Sequence, residues 1–169
     1  MSQLTTEQLL LLIDEAEGPQ SVALGGTDLS GIDLSGAHLQ RLMNEMGLDG
    51  PVWFARSMDL RGWVRANGVN LHGAQLDGAN LSGSDLSGAY LRDADLFGAR
   101  LAGAKLVHAD LRGADLTNAD LSDTDLREAN LNLASVRGAN LARANLEGAV
   151  LVDADLTGAN LEGARGLGA

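Results

Sequence analysis

Ala109-Asp110-Leu111-Arg112-Gly113, Ala114-Asp115-Leu116-Thr117-Asn118 and Ala119-Asp120-Leu121-Ser122-Asp123 are three consecutive stretches with one pattern: small, acidic, Leu, then two variable residues. Outward from them, a central Leu recurs every fifth residue from Leu71 to Leu161, making 19 units in which only Val136 departs. The small residue two positions earlier is Ala in 16 of these units, the exceptions being Val69, Ser84 and Thr124. A period of five fits neither the 3.6 of an amphipathic helix nor the 2 of a strand. Self-similarity at a fixed period is the mark of a stacked-repeat architecture.

The units resemble the pentapeptide-repeat family, whose motif is Ala-(Asp/Asn)-Leu-X-X. The likeness is unbroken over 69–163 and broken over 27–41 and 58–62. It implies an all-β solenoid, a right-handed quadrilateral β-helix with four five-residue faces per coil. Packing physics agrees. A square coil has a narrow interior, so each face needs one large apolar residue and one small residue beside it, which Leu and Ala supply. Coils stack at the inter-strand spacing, which makes the long array a rod of about 23 Å. A lone coil cannot bury its own residues, so stability is shared between neighbours. Gly closes 11 of the 19 units, as a type II corner with a positive φ at its third residue requires. Asn118, Asp123, Glu128 and Leu133 close four successive units. Because Glu and Leu tolerate the left-handed region poorly, that coil is expected to turn differently.

The chain has 169 residues and a net charge of −11, with 9 acids and 4 bases in 1–68 and 14 acids and 8 bases in 69–169. No basic patch or run favours direct contact with nucleic acid. Without Cys there is no disulfide frame, Cys-zinc site or thiol nucleophile. Acids at Asp14, Glu15 and Glu17 follow the apolar run at 9–13, unlike a signal peptide, and no stretch is long enough to span a membrane. A cytoplasmic protein is expected.

Residues 1–20 are read as an N-terminal cap. Thr5 with Gln8 fits a capping box, Glu7 suits the positive helix end, and Gly18-Pro19 ends the helix. Covering the first coil is the plain role, and a binding helix is the alternative. The β-helix is expected over 21–169, with insertions near 42–57 and 63–68. These insertions hold Met43, Met46, Trp53, Phe54, Arg56, Trp63 and Arg65. Their aromatics either fold back over a coil or anchor a partner, since Trp, Met and Arg are enriched at interfaces. After Ala164 the pattern stops, which leaves an exposed edge, a plug by Leu167, or a dimer contact through Leu161 and Leu167. Leu71, Leu91, Leu111, Leu131 and Leu151 are expected in the core.

The Asp and Asn that precede each central Leu suit backbone bonding at turns. Residues 20 apart stack in columns, one of which carries Asp95, Asp115 and Asp155. The columns are expected to alternate acids with neutral or basic groups. His38 stands alone, and His72 and His108 fall on different faces, so no shared metal site is expected, nor any cofactor. A convex rod should have no pocket for catalysis. The Gly corners recur too regularly, with no helix after them, to be phosphate loops. The expectation is a non-catalytic interaction protein. Resemblance sharpens it: some pentapeptide-repeat proteins protect DNA gyrase and topoisomerase IV from drugs by mimicking DNA with an acidic rod. The candidate contacts are then Asp95, Asp115 and Asp155 on the rod with the residues of the insertions. Leu at nearly every centre, where many topoisomerase-binding members often have Phe, favours the alternative of a scaffold or regulatory adaptor.

Overall fold

In the computed structural model, Gln8, residues 70–74 and residues 76–167 are described. Gln8 is helical and exposed. The rest of the expected cap, both insertions and their aromatics lie outside the described residues. Over 70–165 every isolated parallel bridge joins residues 20 apart, from Asn70↔Tyr90 to Asn145↔Arg165. The fold is therefore a parallel β-solenoid with 20 residues per turn, and each five-residue unit forms one side. We number the faces by their central residues: the first contains Leu71, Leu91, Leu111, Leu131 and Leu151, the second Leu76, Leu96, Leu116, Val136 and Leu156. The third follows from Leu81 and the fourth from Leu86.

The backbone hydrogen bonds explain why the unit has five residues. Leu111 N–H donates to Asn130 O (2.8 Å) and Gly113 N–H to Asn132 O (2.9 Å), both on the next coil. Ala114 N–H closes the corner on Leu111 O (3.1 Å), and Asp115 N–H reaches back to Ala94 O on the previous coil (3.0 Å). One donor per unit remains, that of the residue after the central Leu. The Asp or Asn two positions earlier accepts it, as in Arg112 N–H to Asp110 Oδ1 (3.3 Å) and Thr117 N–H to Asp115 Oδ1 (2.9 Å). The acidic or amide position thus completes the pairing of the backbone, and this is why short polar side chains fill it.

Inward-facing residues form one continuous core of central Leu and small Ala, fully buried from Leu71 through Leu131. Thr124 substitutes for Ala at no polar cost, because its hydroxyl donates to Leu121 O (2.7 Å). Leu151 departs from expectation. It is only half-buried, like Leu156 and Leu161, because it belongs to the last described coil and is packed from one side. Leu167 is 37% exposed. Gly166 takes the place of a central Leu at φ +81, and its Cα lies so close to the backbone of Leu146 and Glu147 that a Cβ could not fit.

The corners also correct an expectation. Glu128 (φ 56) and Leu133 (φ 62) adopt the same left-handed conformation as the Gly corners. Positive φ at the third turn residue alone, with the closing bond intact (Ala129 N–H to Leu126 O, 3.1 Å; Ala134 N–H to Leu131 O, 3.0 Å), is a type II turn. The ladder overrides local preference. A corner in any other shape would forfeit bonds such as Leu133 N–H to Val152 O (3.0 Å), whereas the left-handed conformation costs about 1–2 kcal/mol for a residue with a Cβ.

Candidate protein-binding faces

Outward positions flank each central Leu, so the sequence of each face decides its surface. The second face carries Asp77, Asp95, Asp115 and Asp155 against Arg137 alone, a net −3, while over 69–163 the first and third faces net −1 each and the fourth −2. The three sequence-selected acids are therefore on one side of the rod. Asp95 and Asp115 bridge directly on consecutive coils, contrary to the expected alternation. Each accepts a backbone N–H on Oδ1, from Phe97 (3.1 Å) and Thr117 (2.9 Å), so both carboxylates complete the backbone pairing of their own units. Asp155 lies two coils beyond Asp115, separated from it by Ser135, and Arg137 Nη1 donates to its Oδ2 (2.8 Å). Thr157 donates to Asp155 through both N–H (2.9 Å) and hydroxyl (2.5 Å), and these bonds, with Arg137, hold the carboxyl down to about 2.

Two acids on other faces are internally compensated. Arg112 grips Asp110 through Nε (2.7 Å) and Nη2 (2.6 Å), and Arg127 grips Asp125 through Nε (2.8 Å) and Nη2 (2.7 Å). Both guanidiniums hold the carboxyl of their partner below its ordinary range by donating hydrogen bonds to the charged form.

The expectation of a rod without a pocket needs amending. A shallow recess of about 420 Å³ lies on the first face among Asn70, His72, Tyr90, Arg92 and Asp110. Its polar groups are engaged with one another and their neighbours: His72 Nδ1 is 2.7 Å from Arg92 O, and Arg92 Nε is 3.3 Å from Asp93 Oδ2. His108 sits at a fourth-face corner with Nδ1 3.4 Å from Glu128 Oε2, away from His72. Among the described residues no three His, Cys, Asp or Glu side chains are grouped to hold a metal ion.

Sequence reasoning concentrated on the insertions and passed over exposed apolar residues on the rod itself. Tyr90 (55% exposed), Phe97 (48%), Leu133 (68%), Val150 (41%) and Val152 (59%) all occupy outward or corner positions. The signal was available, because each breaks the polar rule of its position. No helix among the described residues is long and apolar enough to cross a membrane.

A square parallel solenoid of five-residue units with Leu and Ala inside defines the class. The family profile described as Pentapeptide repeats matches residues 63–93, 94–132 and 129–165. The chain belongs to the pentapeptide repeat family, and the solenoid of that family is a right-handed β-helix. Among solved structures it is similar to Rfr23 from the cyanobacterium Cyanothece 51142, at 37% identity over 57% of this chain and 63% of that one (TM-score 0.37). It is also similar to HetL of Nostoc sp. strain PCC 7120, a protein involved in heterocyst differentiation regulation, at 35% identity over 82% and 65% (TM-score 0.27). A third is QnrB1, a plasmid-mediated fluoroquinolone resistance protein, at 21% identity over 81% and 64% (TM-score 0.39). The chain spans less than two thirds of the length of each of these three structures. No curated protein sequence matches it significantly.

Proposed function

We propose that this protein is a non-catalytic binding rod whose acidic second face engages a basic surface on a protein partner. The observation that carries the reading is the run of Asp95 and Asp115 on adjacent coils, in the face that bears the largest net charge of the array. Asp95 and Asp115, stacked on a straight ladder, present two negative charges about 4.8 Å apart, with Asp155 two coils further on. A basic groove shaped for a linear polyanion complements such a face, and attraction of this kind speeds encounter and fades with salt. Within the pentapeptide repeat family, bacterial DNA gyrase and topoisomerase IV are the partners that fit, which would place the protein in the cytoplasm. In this reading the rod supplies attraction, and the 42–57 insertion, with Met43, Met46, Trp53, Phe54 and Arg56, supplies the apolar contact, supported by Trp63. Pairing of two copies through Leu161 and Leu167 belongs to the same proposal.

Gyrase supercoiling in the presence of a fluoroquinolone, with and without the protein, tests this. Protection is expected from the wild type, and it should be weakened by Asp95→Asn with Asp115→Asn, which keep the Oδ1 acceptor and remove charge. Deleting 42–57 should abolish it while circular dichroism stays unchanged. No protection by well-folded wild type at low salt rejects the topoisomerase target. The second reading, a scaffold or regulatory adaptor, is favoured by Leu or Val at every centre of the array without a single Phe.

A further inference from the structure

Leu133, Val150 and Val152 are the exposed large aliphatic side chains of the 69–163 array among the described residues, and they lie on adjoining coils of one face. Val150 is the only aliphatic residue at the position before a central residue in the 19 units, and Leu133 is the only large apolar residue at a corner. Val152 follows Leu151, so Val150 and Val152 flank an inward residue and point out from the same first-face surface. Leu133 N–H donates to Val152 O (3.0 Å), which places the Leu133 corner directly against Val152. All three are substantially exposed, Leu133 most of all at 68%. Nothing in the fold calls for them. Gly serves the corner in 11 units without strain, and Leu133 holds φ +62. Val150 cannot accept the N–H of Val152, and Asn132 Oδ1 on the coil below accepts it instead (3.0 Å). A leucine that is both strained and exposed, beside two valines in polar positions, is costly for the isolated rod.

The surroundings indicate what covers this ledge. Asp153 adjoins Val152 in sequence, and Glu147 and Glu128 lie across the preceding corner, joined by Glu128 N–H to Glu147 O (2.9 Å). Among the described residues neither Asp153 nor Glu147 forms an ion pair, Glu128 is met by His108 at 3.4 Å, and Glu128 and Glu147 both act at longer range on Arg127. The neighbouring guanidiniums of Arg112, Arg127 and Arg137 are already held by Asp110, Asp125 and Asp155. A second copy of the chain would bring this acidic rim against itself. An aliphatic stripe flanked by Lys or Arg would satisfy both parts at once. We infer that the Leu133–Val150–Val152 ledge docks a basic amphipathic segment of a partner protein, at a surface separate from the acidic second face.

The test uses the full chain and a fluorescent synthetic helix with one leucine face and one lysine face, read by anisotropy. Wild type should bind it, and should bind neither a version with glutamate in place of lysine nor one of equal charge whose leucines are scattered. Leu133→Gly should weaken binding by about tenfold or more, as loss of a central interface anchor does, yet melt no lower than wild type because φ is no longer strained. Val152→Asn should weaken it similarly, and Asp115→Asn should not, which separates this surface from the topoisomerase reading. Absence of binding by wild type, or equal binding by Leu133→Gly and Val152→Asn, overturns the inference. A dimer by light scattering that Leu133→Gly converts to monomer also overturns it, by assigning the ledge to self-association.

Discussion

Arg143 clasps Asp123 from the next coil along one edge of the rod, with Nε 2.7 Å from Oδ1 and Nη2 2.6 Å from Oδ2, while both residues hold a left-handed corner. The pair opposes the strain of two side chains where Gly would fit without cost. Replacing both by Gly removes the attraction and the strain together. At low ionic strength the double variant should melt close to wild type. At high salt, where an exposed pair is screened, it should melt above wild type. A double variant that stays clearly below wild type at high salt would mean that the stems of these side chains pack on the rod as well as pairing.

The interior should be intolerant in both directions. Leu111 is fully buried with a coil on either side, so Leu111→Ala should cost ~2–5 kcal/mol. Ala114 is equally buried at the small position, and Ala114→Leu should destabilise by ~1–3 kcal/mol or more because the square interior has no slack. Chemical denaturation that finds Ala114→Leu neutral would undo the packing argument.

Corner glycines divide into two kinds. At Gly103, stacked on Gly83, an added Cβ meets nothing within 4 Å among the described residues, so Gly103→Ala should cost only the left-handed penalty of about 1 kcal/mol. At Gly113 the same Cβ would run into Asp93 Oδ1 from the coil before, and at Gly138 it would stand 2.6 Å from Asn118 Oδ1. Gly113→Ala should therefore cost more than Gly103→Ala, and the excess should vanish in an Asp93→Gly background. Equal costs in the two backgrounds would show that Asp93 swings aside freely.

What the sequence made legible was whatever depends on volume inside a closed coil. The Leu and Ala positions, the role of Asp and Asn before each Leu, and the 20-residue columns follow from a small interior and from the need to pair every backbone donor. Local preference misled at Glu128 and Leu133, where ladder bonds impose the same corner on a poor residue. Leu151 was misjudged because its burial depends on a neighbouring coil, which its own unit does not reveal. The Asp95–Asp115 stack was readable from spacing, and each carboxylate in it accepts the backbone N–H that its unit leaves over. The ledge at Leu133, Val150 and Val152 was overlooked because Leu133 lies 17 and 19 residues from the two valines and nears them only after the chain has gone once around.

Acid should loosen the rod through its hydrogen-bonded carboxylates, with Asp155 last to protonate. Thr157 donates to it twice and Arg137 once, which lowers it from 3.8 to about 2. Asp110, Asp123 and Asp125 are lowered as well, chiefly by side-chain bonds from Arg112, Arg143 and Arg127. A carboxyl depressed in the folded state contributes its stability above its unfolded value, near 3.9, and loses it as pH falls through the folded value. Stability should thus be flat with respect to these groups near neutrality and decline from about pH 4 toward about pH 2. Thr157→Val removes the hydroxyl and keeps the N–H, so the carboxyl of Asp155 should titrate at higher pH, still below the ordinary range because Arg137 remains. The acid limb of the stability curve should shift the same way. Carboxyl-carbon NMR of the folded protein reads the titration directly, and thermal melts across the same pH range read the stability. A wild-type Asp155 that titrates near 4, or a Thr157→Val variant that leaves it unmoved, would show that these bonds are not maintained in solution.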